Sequence, residues 1–308
     1  KIIDYLKTLL NYEAKLSDVL SVLQLTPTIV KTLETKKVLK ISLHEKYREV
    51  VSIHEPEYKK VALNDDQQNA YIKINEALNH FETFLLHGVT GSGKTEIYLN
   101  VIEEVIKNNK EVIFLVPEIA LTPMMVSRFK GRFQNQVAIL HSGLSIGEKY
   151  DEWRKIIRKE AKIVVGARSA CFAPFTNIGL VVIDECHEST YKQEDMPKYY
   201  ALDVCIDRAK YYQCPVILGS ATPNVETYAR YKRGYYQLLE LPKRAQNESM
   251  PKMTVVDMKS EFKSGNPSSI SKALQSAIEI RLSKGEQTIL LINRRGYSTF
   301  VICRNCGH

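Results

Sequence analysis

Apolar positions change their rhythm near residue 60. Before it, Ile2, Ile3, Leu6, Leu9 and Leu10, and then Leu16, Val19, Leu20 and Leu23, recur at helical spacing. Thr26-Pro27 places an N-cap residue before a proline at the first helical position. A third helix is therefore predicted, with Ile29, Val30 and Leu33 on its buried side. The following segment, Lys36-Lys37-Val38-Leu39-Lys40-Ile41, reads as a strand. Helix, helix, helix, strand is the order of a winged helix over residues 1–55. A small helical packing module with no nucleic-acid contact fits the same pattern.

From residue 61 the texture becomes apolar runs separated by helical segments: Phe84–Leu86, Val112–Val116, Val137–Leu140, Ile163–Val165, Leu180–Ile183 and Val216–Leu218. Runs this continuous suit strands buried on both faces. Alternation with helices predicts an α/β unit over residues 61–240, a parallel sheet covered by helices, with ligands at the carboxyl ends of its strands. A polar stretch, Lys243 to Ser249, comes next, and Thr288 to Ile292 reads as a strand after a helical segment. Residues 241–308 thus look like the opening of a second α/β unit.

Composition narrows the class. With 308 residues, 44% of them hydrophobic, the chain can bury a large core. It holds no apolar run of about 18 residues and no signal-peptide pattern, so a cytoplasmic protein without a membrane partner is expected. The net charge of +8 favours a polyanionic partner without identifying one. Cys303 and Cys306, in Cys-Arg-Asn-Cys-Gly-His, form a close pair that supplies half of a zinc site. The chain begins at Lys1 and stops two residues after that pair, and it is read as a piece of a longer protein.

Three motifs carry chemistry. Gly88-Val89-Thr90-Gly91-Ser92-Gly93-Lys94-Thr95 lies between an apolar run and a helix, the context a phosphate-binding loop requires. Its glycines allow backbone N–H groups to face phosphates, Lys94 neutralises charge, and the Thr95 hydroxyl suits Mg²⁺. Leu180 to Ile183 ends on Asp184-Glu185-Cys186-His187. There Asp184 would hold Mg²⁺, Glu185 would orient and deprotonate the attacking water, and His187 would relay the phosphate state. Ser220-Ala221-Thr222, after a third run, can hydrogen-bond to that segment. An isolated Asp-Glu pair is usually a solvated strand end; its order after the loop makes it informative.

In that order the three motifs resemble those of superfamily 2 helicases. Finer segments extend the likeness: Leu63-Asn64-Asp65-Asp66-Gln67, Val116 to Pro123, Val165-Gly166-Ala167-Arg168-Ser169-Ala170, Tyr191-Lys192-Gln193-Glu194-Asp195 and Leu291 to Tyr297. From about residue 61 onward the chain resembles the bacterial primosomal replication-restart helicases. The resemblance implies a RecA-like ATPase lobe that uses ATP and Mg²⁺ and acts on single-stranded and forked DNA, with single-stranded DNA-binding protein and primosome or helicase-loading proteins as partners. It also implies that Gln67 reads adenine, and that Pro117, Thr122, Arg168 and Ser169 grip the DNA backbone. Tyr191 and Lys192 then belong to an aromatic-rich loop that binds DNA and couples that binding to hydrolysis, and Cys303 and Cys306 to a zinc cluster of the second lobe. Read on their own residues, Tyr191, Tyr199 and Tyr200 serve equally as stacking faces or as core, and Arg168 as a phosphate ligand or a carboxylate partner. An RNA-directed motor of the same class and a non-catalytic DNA-binding module are the competing readings.

The chain departs from the family in carrying Cys186 where a glutamate is usual, a position without phosphate duty. The second-lobe arginine finger, worth about 10³–10⁵ in turnover, is absent from these residues, so slow hydrolysis by this segment alone is expected. Two thiolates leave zinc half-coordinated. Elemental analysis of the purified 308-residue chain should therefore find far less than one zinc per molecule, and a tightly held stoichiometric ion would overturn that reading.

Overall fold

The computed structural model describes residues 1–9, 11–42, 47, 61–245, 252–266 and 268–291. The chain divides into two compact units, Lys1–Glu248 and Ser249–His308. Cys303, Cys306 and the segment from Asn293 to Tyr297 lie outside the described residues.

The first unit opens with α1 (Ile2–Lys7), α2 (Leu16–Leu23) and α3 (Pro27–Thr35), whose apolar stripes meet in a small core of Ile2, Val19 and Val30. Two expectations change here. Ile29 is 43% exposed, because successive helical residues point about 100° apart and α3 turns Val30 inward instead. Lys36 to Ile41 is turn and irregular chain rather than strand. The N–H groups of Lys36, Lys37 and Val38 donate back to the carbonyls of Thr32, Glu34 and Leu33, so they are spent on ending the helix. Lys37 takes a left-handed backbone, φ 59°, and Leu39 and Ile41 lean on the helical core.

The rest of this unit is built on a parallel sheet. The order is α4 (Asp65–Glu76), β1 (Thr83–Gly88), α5 (Lys94–Lys107), β2 (Glu111–Leu115), α6 (Pro123–Phe133), β3 (Val137–Leu140), α7 (Ile146–Ile157), β4 (Ile163–Gly166) and β5 (Ile178–Ile183). A short antiparallel ribbon, β6 (Lys192–Gln193) with β7 (Tyr199–Tyr200), precedes α8 (Ala201–Tyr212), β8 (Val216–Ser220), α9 (Val225–Lys232) and β9 (Gln237–Leu241). Seven strands line up as β3-β4-β2-β5-β8-β1-β9, every neighbouring pair parallel. This is the expected α/β architecture.

Both faces of the sheet are covered, which is why its strands read as unbroken apolar runs. Phe84, Leu86, Val112 and Phe114 join Ile74 of α4, Ile97 and Tyr98 of α5 and Phe129 of α6 in one core. Their neighbours Leu85, Ile113 and Leu115 join Ile156 of α7 and Leu202, Cys205 and Ile206 of α8 in the other. The edge strand β9, with polar Gln237 and Glu240 exposed along it, gave no such run and was not anticipated.

The second unit contains α10 (Met258–Lys263) and α11 (Lys272–Ser283), tied together by Glu261, which accepts from the Lys272 backbone N–H at 3.0 Å. Thr288 to Leu291, expected as part of a strand, is irregular, and Ile289 is 96% exposed. A strand persists only where a neighbour takes up its backbone groups, and no described residue of this unit is in a strand. No helix among the described residues is long and apolar enough to cross a membrane.

The fully buried Phe114 sits edge-on between Tyr98, at 5.6 Å between ring centroids, and Phe129, at 4.7 Å. Phe114→Ala should cost about 3–5 kcal/mol of unfolding free energy in urea melts, and a loss below about 1 kcal/mol would contradict a close-packed core at this point.

Candidate functional site

The three motifs leave the sheet from adjoining strands. β1 pairs with β8 and β8 with β5, with His87 opposite Ser220 and Leu218 opposite Ile183. The residues after β1, β5 and β8 therefore emerge side by side at the carboxyl edge, although long stretches of the first unit separate them in sequence.

The loop after β1 wraps tightly onto the start of α5. Gly91 and Gly93 both take left-handed backbones, φ 80° and 81°. A Cβ at Gly93 would also lie 2.3 Å from the Gln67 side-chain nitrogen, and one at Gly88 2.4 Å from the Ser92 hydroxyl. Backbone clamps hold the loop: Val89 N–H donates to the Leu241 carbonyl at 3.3 Å and Ala245 N–H to that of Gly91 at 2.9 Å. Gln67, buried in the first turn of α4, accepts from the Asn64 N–H at 2.9 Å to complete a capping box. Its amide donates to the Ser92 carbonyl at 2.8 Å. The side chain that the resemblance assigns to adenine thus also braces the phosphate loop.

Buried Lys94 donates to the Gly88 carbonyl at 2.9 Å. The Ser92 hydroxyl is buried without a hydrogen-bond partner among the described residues. A desolvated ammonium, an orphaned hydroxyl and a helix N-terminus in one loop suit a polyphosphate. The oxygens of Thr95 and Asp184 are the hard donors that a phosphate-bound Mg²⁺ takes. These residues fit both groups.

Asp184 directly follows β5, its N–H donating to the Leu115 carbonyl at 2.9 Å and its Oδ1 accepting from the Tyr98 hydroxyl at 3.0 Å. Burial raises its carboxyl above the usual carboxylate range and the Glu185 charge adds to this, while the Lys94 ammonium opposes both. Glu185 has a left-handed backbone, φ 45°, which is uncommon for a non-glycine residue. Cys186 turns into the core, where burial pushes its thiol up to about 12, consistent with no phosphate duty. His187 Nδ1 lies 2.9 Å from the Ser220 hydroxyl, which accepts from the Thr222 N–H at 3.0 Å. The second and third motifs are therefore joined directly, with Ala221 between the two bonded residues.

Of the residues expected to meet DNA, Pro117, Thr122, Arg168 and Ser169 lie after β2 and β4, neighbours on the other side of β5, and Tyr191 and Lys192 lie after β5 itself. Pro117 is buried and its carbonyl accepts from the Ala120 N–H at 2.9 Å, while exposed Thr122 N-caps α6. Ser169 is exposed. The Arg168 guanidinium donates to the carbonyls of Thr190 and Lys192 at 3.1 and 2.6 Å and sits over the Tyr199 ring, so its partner is backbone rather than a carboxylate. Tyr191 corrects the stacking expectation. It is fully buried and its hydroxyl donates to the Asp184 carbonyl at 2.6 Å, so it offers no face to a base. Tyr199 and Tyr200 stay partly exposed, with the Lys192 ammonium 5.2 Å from the Tyr200 ring centre. Sequence reasoning missed Tyr98 and Gly219; only the spacing of Tyr98 from Lys94, one helical turn, could have drawn attention to it.

Residues 60–225 match the family described as type III restriction enzyme, res subunit. The chain belongs to that family. Its curated relatives include replication restart protein PriA of Bacillus subtilis, 55% identical over 284 residues, covering 91% of this chain and 35% of that protein. PriA of Synechocystis is 43% identical over 306 residues, covering 96% of this chain and 36% of the relative. PriA of Haemophilus influenzae is 41% identical over 250 residues, covering 80% and 33%. The chain spans about a third of the length of these PriA relatives.

Lys94→Ala should weaken binding of a fluorescent ATP analogue by about 10–100-fold, the worth of a hydrogen bond to a charged group, while circular dichroism stays unchanged. Undiminished affinity would remove the phosphate loop from the site.

Proposed function

We propose that this chain holds the first motor lobe of an ATP-driven DNA helicase that acts on stalled or forked DNA so that replication restarts. The observation that carries the reading is the meeting of Lys94, Asp184 and the bonded pair His187–Ser220 at three adjoining strand ends. The 40–55% identity to proteins named for replication restart supports the DNA role.

In this reading the loop from Gly88 to Thr95 wraps the phosphates with backbone N–H groups, and Lys94 exchanges its carbonyl partner for them. Gln67 contacts the adenine while bracing Ser92. Mg²⁺, held by Thr95 and Asp184, would offset phosphate charge when bound. Glu185 orients the attacking water and takes its proton. His187 passes the state of the γ-phosphate to Ser220, and the chain from Ser220 to Thr222 carries it onward. Thr122, Arg168, Ser169 and Lys192 grip the DNA backbone beside β2 and β4, with the Pro117 turn shaping that edge. Tyr199 and Tyr200 supply the aromatic faces that Tyr191 does not.

The three helices before residue 36, without the strand expected after them, would serve as a small packing module. Residues from 249 onward would serve as the opening of the second motor lobe, since β9 and the clamp at Ala245 belong to the first unit. In the full-length protein Cys303 and Cys306 would bind zinc with further cysteines. Single-stranded DNA-binding protein and the proteins that load the replicative helicase would be its partners, in the cytoplasm.

ATP hydrolysis by the full-length protein, measured with forked DNA, single-stranded RNA or neither, tests the proposal. Stimulation by DNA alone is expected. Stimulation by RNA alone would replace the reading with an RNA motor, and none by either would leave a nucleotide-binding module without a motor.

A further inference from the structure

Asp184 receives one side-chain hydrogen bond among the described residues, and it comes from outside the three motifs: the Tyr98 hydroxyl, 3.0 Å from Oδ1. Tyr98 lies in α5 one turn beyond Lys94, and residues at this spacing share a helix face. The same helix face therefore carries the phosphate-loop lysine and a donor to the carboxylate that the proposed function assigns to the cation. Tyr98 is fully buried, its ring fixed edge-on against Phe114 at 5.6 Å. Burial leaves no solvent to substitute as donor.

Gly219 makes the contact possible. Its φ lies outside the range that calls for glycine, so its backbone does not explain the missing side chain. Space does. A Cβ there would fall 1.8 Å from the Tyr98 hydroxyl and 2.8 Å from Asp184 Oδ1. Its carbonyl also accepts from the Cys186 N–H at 2.9 Å, tying β8 to the residue two places beyond Asp184. A glycine without a conformational need, placed where any side chain would separate a tyrosine from an aspartate, is accounted for by that hydrogen bond.

We propose that Tyr98 is a positioning residue: by holding Asp184 Oδ1 it orients the carboxylate for the divalent cation that accompanies ATP, and so links cation binding to the helix that grips the phosphates. Partners that orient a metal's ligands are typically worth about 10–100-fold in metal affinity. The inference rests on the proposed assignment of Asp184 to Mg²⁺.

The test is equilibrium binding of a fluorescent, non-hydrolysable ATP analogue to the full-length protein, with Mg²⁺ titrated from zero. Wild type, Tyr98→Phe, Gly219→Ala and Asp184→Asn would be compared. Phenylalanine keeps the ring and its packing. Tyr98→Phe should leave affinity without Mg²⁺ within about twofold and raise the Mg²⁺ concentration for half-maximal enhancement about 10–100-fold. Gly219→Ala should reproduce this loss and provides the reading should Tyr98→Phe fold poorly. An unchanged Mg²⁺ response in Tyr98→Phe, where Asp184→Asn abolishes it, overturns the role of Tyr98 alone. So does an equal loss with and without Mg²⁺, which marks a merely structural residue. A wild-type protein whose nucleotide binding ignores Mg²⁺ overturns the cation assignment and this inference with it.

Discussion

A parallel sheet buried on both faces leaves polar chemistry only its strand ends, and most of this chain's organisation derives from that constraint. α4, α5 and α6 seal one face, and α7 and α8 the other. The five strands inside the two edges are paired on both sides and commit their backbone groups to the ladder. What a ligand can reach is the carboxyl edge, and strand order decides what meets there. Because β5, β8 and β1 are adjacent, Asp184, Ser220 and the loop from Gly88 become neighbours. Because β2 and β4 pair on the far side of β5, Thr122 and Arg168 lie along the same edge but apart from the phosphate loop. The two polyanion contacts proposed above would thus lie along one sheet without crowding each other.

The proposed phosphate site is largely satisfied by the protein itself. Lys94 bonds to Gly88, Gln67 to Ser92, Asp184 to Tyr98 and His187 to Ser220. Such pairing is what allows charged and polar groups to sit in a desolvated edge. It also sets a condition on the ligand, which must offer more than the contact it displaces. A phosphate oxygen does so at Lys94, because it brings a full charge where the Gly88 carbonyl brings only a dipole. The Ser92 hydroxyl, without a partner among the described residues, has nothing to give up.

What was legible in the sequence had either a fixed residue pattern or burial on two sides. The loop from Gly88 to Thr95, Asp184 to His187 and Ser220 to Thr222 stood out by residue pattern, and the fold brings all three to one sheet edge. The apolar runs became β1, β2, β3, β4, β5 and β8 because both faces demand apolar residues. β9 escaped notice because an edge strand keeps polar side chains. Lys36 to Ile41 alternates like a strand, yet its N–H groups turn back to the helix before any ladder forms. Tyr191 stands among lysines and tyrosines in sequence, and only the Asp184 carbonyl beside it explains why it is core while Tyr199 and Tyr200 stay partly exposed. In sequence Tyr98 carries no motif; its contact with Asp184 depends on Gly219, far away in the chain, and no local pattern encodes that pairing.

Glu185 shows how such contacts combine. Its left-handed φ of 45° is unfavourable for a residue with a Cβ, and such a conformation persists only where the surroundings over-determine it. Here they do. On one side the Asp184 N–H is held by Leu115, its carbonyl by Tyr191 and its carboxylate by Tyr98. On the other, the Cys186 N–H is held by Gly219, and the Glu188 N–H closes a turn onto the Glu185 carbonyl at 2.9 Å. The chain must therefore reverse at Glu185 between two anchored neighbours. That reversal lets Asp184 keep its bond to Tyr98 while Cys186 drops into the core. Glu185 is left partly exposed at the strand end, the position from which a carboxylate can reach water. The strain at this residue and the rigidity of Asp184 share one origin: β2, β8, α5 and the turn before β6 all fasten the same few residues.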